Sequence, residues 1–184
     1  MSDIKRCKWC NINNPKYIEY HDNEWCRPSF DDKYLYEMLV LESFQAGLTW
    51  ECVLNKRENF RKAFDGFNVD KVRLYDCDKI TELMNDKGII RNKRKINAAV
   101  NNSSVFVEIV REYGSFYNYL KGFTKGEIIY ETGKAANALS EAISKDLTAR
   151  GMRFVGSTII YSFLQAIGVI YSHDKECFLN KTNH

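Results

Sequence analysis

Four cysteine and histidine residues near the two ends of the chain are candidate metal ligands. His173 and Cys177 are four residues apart and share a face if that segment is helical, while Cys7 and His21 lie near the other end. Thiolate and imidazole are the ligands of tetrahedral structural zinc sites, and such a site would tie the chain ends together. The spacing matches no standard zinc finger. It leaves open a register in which Cys7 and Cys10 bind as a C-x-x-C pair, and also no metal site at all.

A carboxylate and a group of aromatic residues suggest a ligand pocket. Glu42 falls on the apolar face of a predicted helix with Leu35, Met38 and Leu39, where a carboxylate is costly unless it is paired or functional. Aromatic rings attract cations and a carboxylate accepts N–H bonds, so together they suit a flat, cationic ligand. A solvent-reaching Glu42 and an ordinary aromatic core are the alternatives. The rings, set among polar residues, are Trp9, Tyr17, Tyr20, Trp25 and Trp50.

Two further segments could bind an anion. Gly151 and Gly156 frame a short turn, and Ser157 then begins a predicted helix, whose N-terminus favours negative charge. An ordinary turn between helices is the alternative. The segment 91–95 places four cations in five residues at another helix start, which is the wrong end for cations unless they serve an external anion. A solvated charged face is the simpler explanation.

The elements that must position these residues are predicted to be helices throughout. The chain has 184 residues with 45% hydrophobic and 28% charged residues, which excludes a disordered, collagen-like or coiled-coil protein. It contains only two prolines and no sustained strand pattern. We expect an all-α fold in one domain, residues 1–184, either undivided or with two lobes around a cleft.

Helical periodicity and capping residues set the predicted boundaries, with residues 1–30 irregular. The predicted segments are a helix from Asp31 or Asp32 to near Gly47, one from Thr49 to about Phe64, a short one from Asp76 or Asp78 to Gly88, one from about Asn92 to Val110, a turn-rich stretch with a short helix at 116–120, a helix from Ala135 to about Arg150, a hairpin at 151–156, and a last helix from Ser157 to about Ile167.

Charge and targeting signals narrow the class of protein. The formal net charge is only +3, less than is usual for a protein that coats nucleic acid without specificity. The first residues show no signal peptide, and the apolar stretch 155–171 is interrupted by polar residues, so no membrane span is expected. We therefore expect a cytoplasmic protein whose six cysteines are thiols or metal ligands.

Several motifs together resemble the 3-methyladenine DNA glycosylase I family. They occur in the same order over nearly the whole chain, and the second and third are highly specific together. The motifs are Arg6-Cys7-Lys8-Trp9; Tyr17 to Trp25 (YIEYHDNEW); Leu41-Glu42 with Gln45 to Trp50 (QAGLTW); Gly88 to Asn92 (GIIRN); Phe154 to Thr158 (FVGST); and the His173-x-x-x-Cys177 tail.

The resemblance implies an all-α helix-hairpin-helix DNA glycosylase fold, with one structural zinc ion joining the N- and C-terminal segments. It places the zinc ion on Cys7, His21, His173 and Cys177. It assigns catalysis and base recognition to Glu42 and Tyr20, base binding also to Trp9, Tyr17, Trp25 and Trp50, and DNA contacts to Gly47, Leu48, Gly151, Gly156 and Ser157.

The activity implied is monofunctional release of 3-methyladenine from alkylated double-stranded DNA by base flipping. No lysine is positioned by these motifs as a Schiff-base nucleophile, and we expect a monomer. Cys10 is not a ligand in the family, and Cys26 replaces its usual Gly. A zinc-containing DNA-binding module without catalysis and a zinc hydrolase are the competing hypotheses. The second of these needs an open coordination position.

Overall fold

The computed structural model describes residues 4–181, and helices dominate it. This confirms the predicted mostly helical class. In chain order the elements are α1 (Pro15–Asn23), α2 (Asp32–Gln45), α3 (Trp50–Asn55), α4 (Arg57–Ala63), a 3-10 turn (Asp65–Phe67), α5 (Val69–Val72), α6 (Cys77–Asn85), α7 (Lys93–Tyr113), α8 (Phe116–Thr124), β1 (Ile129–Tyr130), α9 (Ala138–Ala149), α10 (Ser157–Ala166) and β2 (Ile170–Tyr171).

Side-chain caps explain why several helices begin where they do. Asp31 accepts a hydrogen bond from the Lys33 N–H at the start of α2, and Thr49 does the same for α3. Asp76 and Asn92 cap α6 and α7 in the same manner. Such caps satisfy N–H groups that have no partner within the helix. The predicted starts of these four helices are therefore confirmed.

Two helical predictions are wrong in detail, and one short helix was missed. The segment 1–30, predicted to be irregular, contains α1, which Asn14 caps and which has Pro15 at its first position. The single helix predicted from Thr49 to Phe64 is divided into α3 and α4 at Lys56, which has φ −99° and ψ 0°. The short helix α5 was not predicted, because its four residues carry too little periodicity to distinguish them from a turn.

The structure also contains one short parallel strand pair. Ile129 aligns with Ile170, and Tyr130 with Tyr171. The last helix, predicted to run to about Ile167, ends at Ala166, and the chain then turns into β2. Gly168 permits this change of direction at φ +76°, and a Cβ there would lie 2.3 Å from the Arg27 carbonyl carbon.

Helix α2 forms the centre of the molecule and packs against α3, α7, α8 and α10. Residues 35–44 of α2 are all buried, so its polar face is buried as well as its apolar face. The sequence suggested that Glu42 is unusual because it lies on the one apolar face of the helix. In the structure every face of this part of α2 is buried, so its position on that face does not distinguish Glu42 from its neighbours. Within residues 4–181, no helix combines the length and the apolar character that crossing a membrane requires.

Candidate active site and metal cluster

A cavity of ≈ 400 Å³ contains all six residues predicted to bind a base. Its volume is within the range of small-ligand clefts. α1 contributes Tyr17 and Tyr20, α2 contributes Glu42, and the start of α3 contributes Trp50. The loops on either side of α1 add Trp9 and Trp25. The structure therefore brings the six predicted residues together around one cavity.

Glu42 is the chemically most unusual group in this cavity. Its side chain is only 3% exposed, and Oε2 has no hydrogen-bond partner within residues 4–181. Burial raises the pKa of this carboxyl group to about 8. The indole Nε1 of Trp50 is also buried and lacks a partner in the described chain. An unpaired acceptor and an unpaired donor facing one cavity are features that a polar ligand would satisfy.

The aromatic side chains form a continuous wall around this carboxyl group. The ring centroids of Trp9 and Trp25 are 4.6 Å apart, and those of Tyr20 and Trp50 are 5.2 Å apart. Trp9 lies 5.3 Å from Tyr17. Burial raises the pKa of Tyr20 well above its usual value, so its hydroxyl group remains neutral and can donate a hydrogen bond.

The cavity also has a polar wall, which was not predicted. Ser162 and Gln165 of α10 line it together with Gln45, Ser172 and Asp174. Ser162 and Gln165 are three residues apart in a helix that is mostly apolar after its first two residues, and they therefore lie on one face. That spacing was the available signal, since polar residues on the inner face of an apolar helix suggest a cavity.

Lys134 also lies at this cavity, although no lysine was expected there. Its Nζ is 2.7 Å from a carboxylate oxygen of Glu131. An ion-paired ammonium group has no lone pair with which to attack a sugar carbon, so the position of Lys134 does not by itself imply Schiff-base chemistry.

The four candidate metal ligands converge in the structure. The ligand atoms of Cys7, His21, His173 and Cys177 all lie within 4.8 Å of one another, and all four residues are buried. Three sulfur–nitrogen distances are 3.5 Å. A tetrahedral zinc site with ordinary bond lengths has sulfur–nitrogen edges of about 3.5 Å. The cluster could therefore hold a metal ion.

Groups around the cluster orient its ligands. Nδ1 of His21 is 2.7 Å from an Asp22 oxygen, which leaves Nε2 facing the cluster, and Arg6 pairs with Asp22 at 2.6 Å. Such carboxylate–histidine pairs are typical of metal sites. The Phe178 N–H donates to the Lys5 carbonyl at 2.9 Å, joining the two terminal segments outside the cluster. Cys10 is not in the cluster, and its thiol contacts the Tyr17 carbonyl.

Comparison with known proteins identifies the family of this chain. The family model described as methyladenine glycosylase matches residues 9–180. The chain belongs to the methyladenine glycosylase family. The family that the sequence motifs predicted is thereby confirmed.

Similar proteins cover this methyladenine glycosylase almost completely. The Escherichia coli (strain K12) protein named DNA-3-methyladenine glycosylase 1 is 40% identical over 181 residues, which cover 95% of this chain and 96% of that protein. A crystal structure of a 3-methyladenine DNA glycosylase I has a TM-score of 0.91 at 36% identity, covering 96% of this chain and 100% of that chain. A Staphylococcus aureus structure, described as the structural basis of 3-methyladenine recognition, has a TM-score of 0.90 at 31% identity and covers 95% of this chain and 96% of that chain.

The predicted DNA-contacting residues of this methyladenine glycosylase lie in two exposed turns. Gly47 and Leu48 follow α2 beside the cavity residue Gln45, and Leu48 is 42% exposed. Gly151 and Gly156 lie in the turn between α9 and α10, and Ser157 is the first residue of α10. A Cβ atom added at Gly47, Gly151 or Gly156 would meet no atom within 4 Å, so these backbones are open to approach.

The basic run 91–95 divides into two parts, which neither sequence interpretation foresaw. Arg91, Lys93 and Arg94 are exposed, whereas Lys95 is buried at 6% exposure. Its Nζ donates to the carbonyl oxygens of Phe44 and Ala46 at the end of α2. Lys95 therefore forms hydrogen bonds inside the protein. Within this run, only Arg91, Lys93 and Arg94 are exposed and able to contact an external anion.

Proposed function

We propose that this methyladenine glycosylase hydrolyses the N-glycosidic bond of 3-methyladenine in alkylated double-stranded DNA and releases the free base for base-excision repair. The observation that carries the proposal is the buried, unpaired Glu42 carboxyl group in an aromatic cavity. The relatives named for this substrate, at up to 40% identity over nearly the whole chain, support the same activity.

The cavity suits a cationic purine. Adenine alkylated at N3 in DNA carries a positive charge, which the ring faces of Trp50 and its neighbours attract. Glu42 accepts N–H groups of the base, and Tyr20 donates or accepts beside it. Because the base is already a good leaving group, the protein needs to supply positioning and modest stabilisation of an oxocarbenium-like sugar. Catalysis in this proposal rests on Glu42 and Tyr20, and base binding on these two with Trp9, Tyr17, Trp25 and Trp50.

The enzyme must take the base out of the duplex to reach it. Leu48 is an exposed apolar side chain next to Gly47 in an open turn, and in the chain it lies between the cavity residues Gln45 and Trp50. Such side chains fill the gap left in the base stack. We assign Leu48 as this wedge, with Gly47 allowing close approach of the DNA.

The turn between α9 and α10 is the proposed phosphate-binding hairpin of a helix-hairpin-helix fold. No side chain caps α10, although side chains cap eight of the ten α-helices in the described range. The first N–H groups of α10, from Ser157 onward, are therefore free to meet a phosphate. The glycines at 151 and 156 keep the approach open.

A basic cleft adjoins this hairpin and supports the same assignment. It has a volume of ≈ 410 Å³ and is lined by Arg94, Asn97, Arg153 and Phe154. Neither Arg94 nor Arg153 has a carboxylate partner among residues 4–181, although Arg94 lies 6.0 Å from the Phe154 ring centroid. Unpaired guanidinium groups beside open N–H groups fit a DNA phosphate.

We assign one structural zinc ion to Cys7, His21, His173 and Cys177. Burial lowers the pKa of His173 to about 4, which keeps its ring neutral and its lone pair free. Four protein ligands leave no open position for a substrate, which argues against a zinc hydrolase. The ion would stabilise the fold, and every chemical role remains with the cavity residues.

The decisive test is base release. Purified protein is incubated with DNA treated with a methylating agent, and the freed bases are separated by chromatography. We expect free 3-methyladenine while 7-methylguanine remains in the DNA. If folded, metal-loaded protein releases no base but still binds duplex DNA, the non-catalytic DNA-binding module is the better assignment.

A further inference from the structure

Lys95 is a buried cation that the base pocket does not use. Its side chain is 6% exposed, and no carboxylate in the described chain forms an ion pair with it. Burial lowers its pKa. Buried lysines are costly unless their donors are satisfied, and here both identified acceptors are backbone carbonyls, Phe44 O at 2.7 Å and Ala46 O at 2.5 Å.

These carbonyls belong to the end of α2 and to the turn that follows it. The Leu48 N–H donates to the Gln45 carbonyl at 2.6 Å, which closes a four-residue turn. Ala46 has φ −45° and ψ 114°, and Gly47 has φ +77°, values typical of a type II turn. Type I and type II turns differ by a flip of their central peptide group, here the one between Ala46 and Gly47. The carbonyl of that peptide is the one that Lys95 binds.

We propose that Lys95 is a positioning residue for the wedge: its ammonium group holds the central peptide of the Gln45–Leu48 turn in the orientation that presents Leu48 to DNA. The cation also satisfies the free carbonyls at the C-terminus of α2, where positive charge is favoured. This inference rests on the proposed role of Leu48 in base extrusion.

The test compares Lys95→Met with Lys95→Arg. Methionine keeps an unbranched chain but has no donor, so we expect excision from DNA to fall about tenfold, the size expected for lost charge-assisted bonds. Arginine keeps the charge and several donors, and it should retain most of the activity. Lys62→Met removes an equal charge from the exposed face of α4 and should leave excision unchanged.

A double-mutant cycle with Leu48→Ala identifies the route of the effect. If Lys95 acts through the turn, Lys95→Met adds little once Leu48 is truncated. Additive losses, or full activity of Lys95→Met, would overturn the proposal. Free 3-methyladenine binding, read by tryptophan fluorescence, should be unchanged in Lys95→Met, which shows that the pocket is folded. If the methionine variant does not fold, Lys95→Gln takes its place in the cycle.

Base extrusion can also be read without chemistry. 2-Aminopurine placed beside a tetrahydrofuran abasic-site analogue becomes fluorescent when the stack is opened, and Lys95→Met should weaken this signal as Leu48→Ala does. If wild-type protein gives the signal but releases no base, the proposed function fails while Lys95 remains testable. If Leu48→Ala is active and Lys95→Met is not, the wedge assignment and this inference both fail.

Discussion

At the scale of single residues, Glu42 shows how a buried group proposed to bind a ligand reduces stability. Its carboxyl group is buried without a hydrogen bond to Oε2 in the described chain, and its pKa is raised to about 8. In the unfolded chain the same group has a pKa of about 4.3. The folded protein therefore keeps its proton to higher pH than the unfolded chain does. Below pH 4 the group has no effect, and as pH rises from about 4 to 8 it increasingly favours unfolding.

Glu42→Gln should therefore be more stable than the wild type, and by more at pH 8 than at pH 5. We expect a gain on the order of 2 to 4 kcal/mol at pH 8 in the free energy of unfolding, measured by urea denaturation at both pH values. The variant should lose binding of free 3-methyladenine. Glu127→Gln, at an exposed glutamate, should show no such pH dependence. Equal gains at both pH values would contradict the burial of the carboxylate.

At the scale of elements, α7 holds both turns proposed to contact DNA. Lys95 binds the turn after α2, and Asn102, seven residues later and so on the same face, binds the turn before α10. The Asn102 amide donates to the Arg153 carbonyl and accepts from the Arg153 N–H, both at 2.8 Å. The next residue, Phe154, has φ +56°, a strained conformation that needs such support.

Asn102→Asp should weaken binding to undamaged duplex DNA by about tenfold, because the carboxylate cannot donate to the Arg153 carbonyl and the turn loses a buried bond. Binding of free 3-methyladenine should not change, since Asn102 lies outside the cavity lining. Asn101→Ala removes an exposed bond to the Gly151 carbonyl and a longer one of 3.3 Å to Asn102 Oδ1, but it leaves both Asn102–Arg153 bonds in place and should have a smaller effect. Unchanged duplex affinity of Asn102→Asp by fluorescence anisotropy would contradict this role for α7.

The elements also explain which features could be predicted from sequence. Cys7, His21 and Glu42 were found because their side-chain types carry the chemistry themselves. Lys95 and Asn102 were missed because their partners are backbone groups, which every residue has and no sequence pattern marks. The polar wall was missed because its members come from separate segments, and only packing brings them together.

At the scale of the whole molecule, the Cys/His cluster and the aromatic cavity share one set of aromatic rings. Trp25 lies 4.7 Å from the His173 ring and 4.6 Å from Trp9, which lines the cavity. Its neighbour Cys26 is buried and has φ +61°, and its sulfur accepts the Ser172 N–H beside β2. The terminal segments therefore support one wall of the pocket. If their contacts with each other are lost, we expect the position of Trp25 in the cavity to change.

Cys177→Ser should lower the zinc content, from one ion per chain by metal analysis, and should lower the melting temperature by several degrees. The variant should also bind free 3-methyladenine more weakly, because the wall at Trp25 loses its support. Cys77→Ser, at an exposed thiol, should change neither property. Wild-type metal content and melting temperature in Cys177→Ser would contradict the structural zinc site.

The pairing of the terminal segments has a mechanical consequence. Cys7 and Cys177 meet in one cluster, and the Phe178–Lys5 backbone bond lies just outside it. Tension applied to the two ends of the chain would act first on these contacts between the terminal segments. The segment between Cys7 and Cys177 would carry no force until those contacts broke. With metal bound, the force needed to unravel the protein would be set by metal–thiolate bonds and not by the helical core.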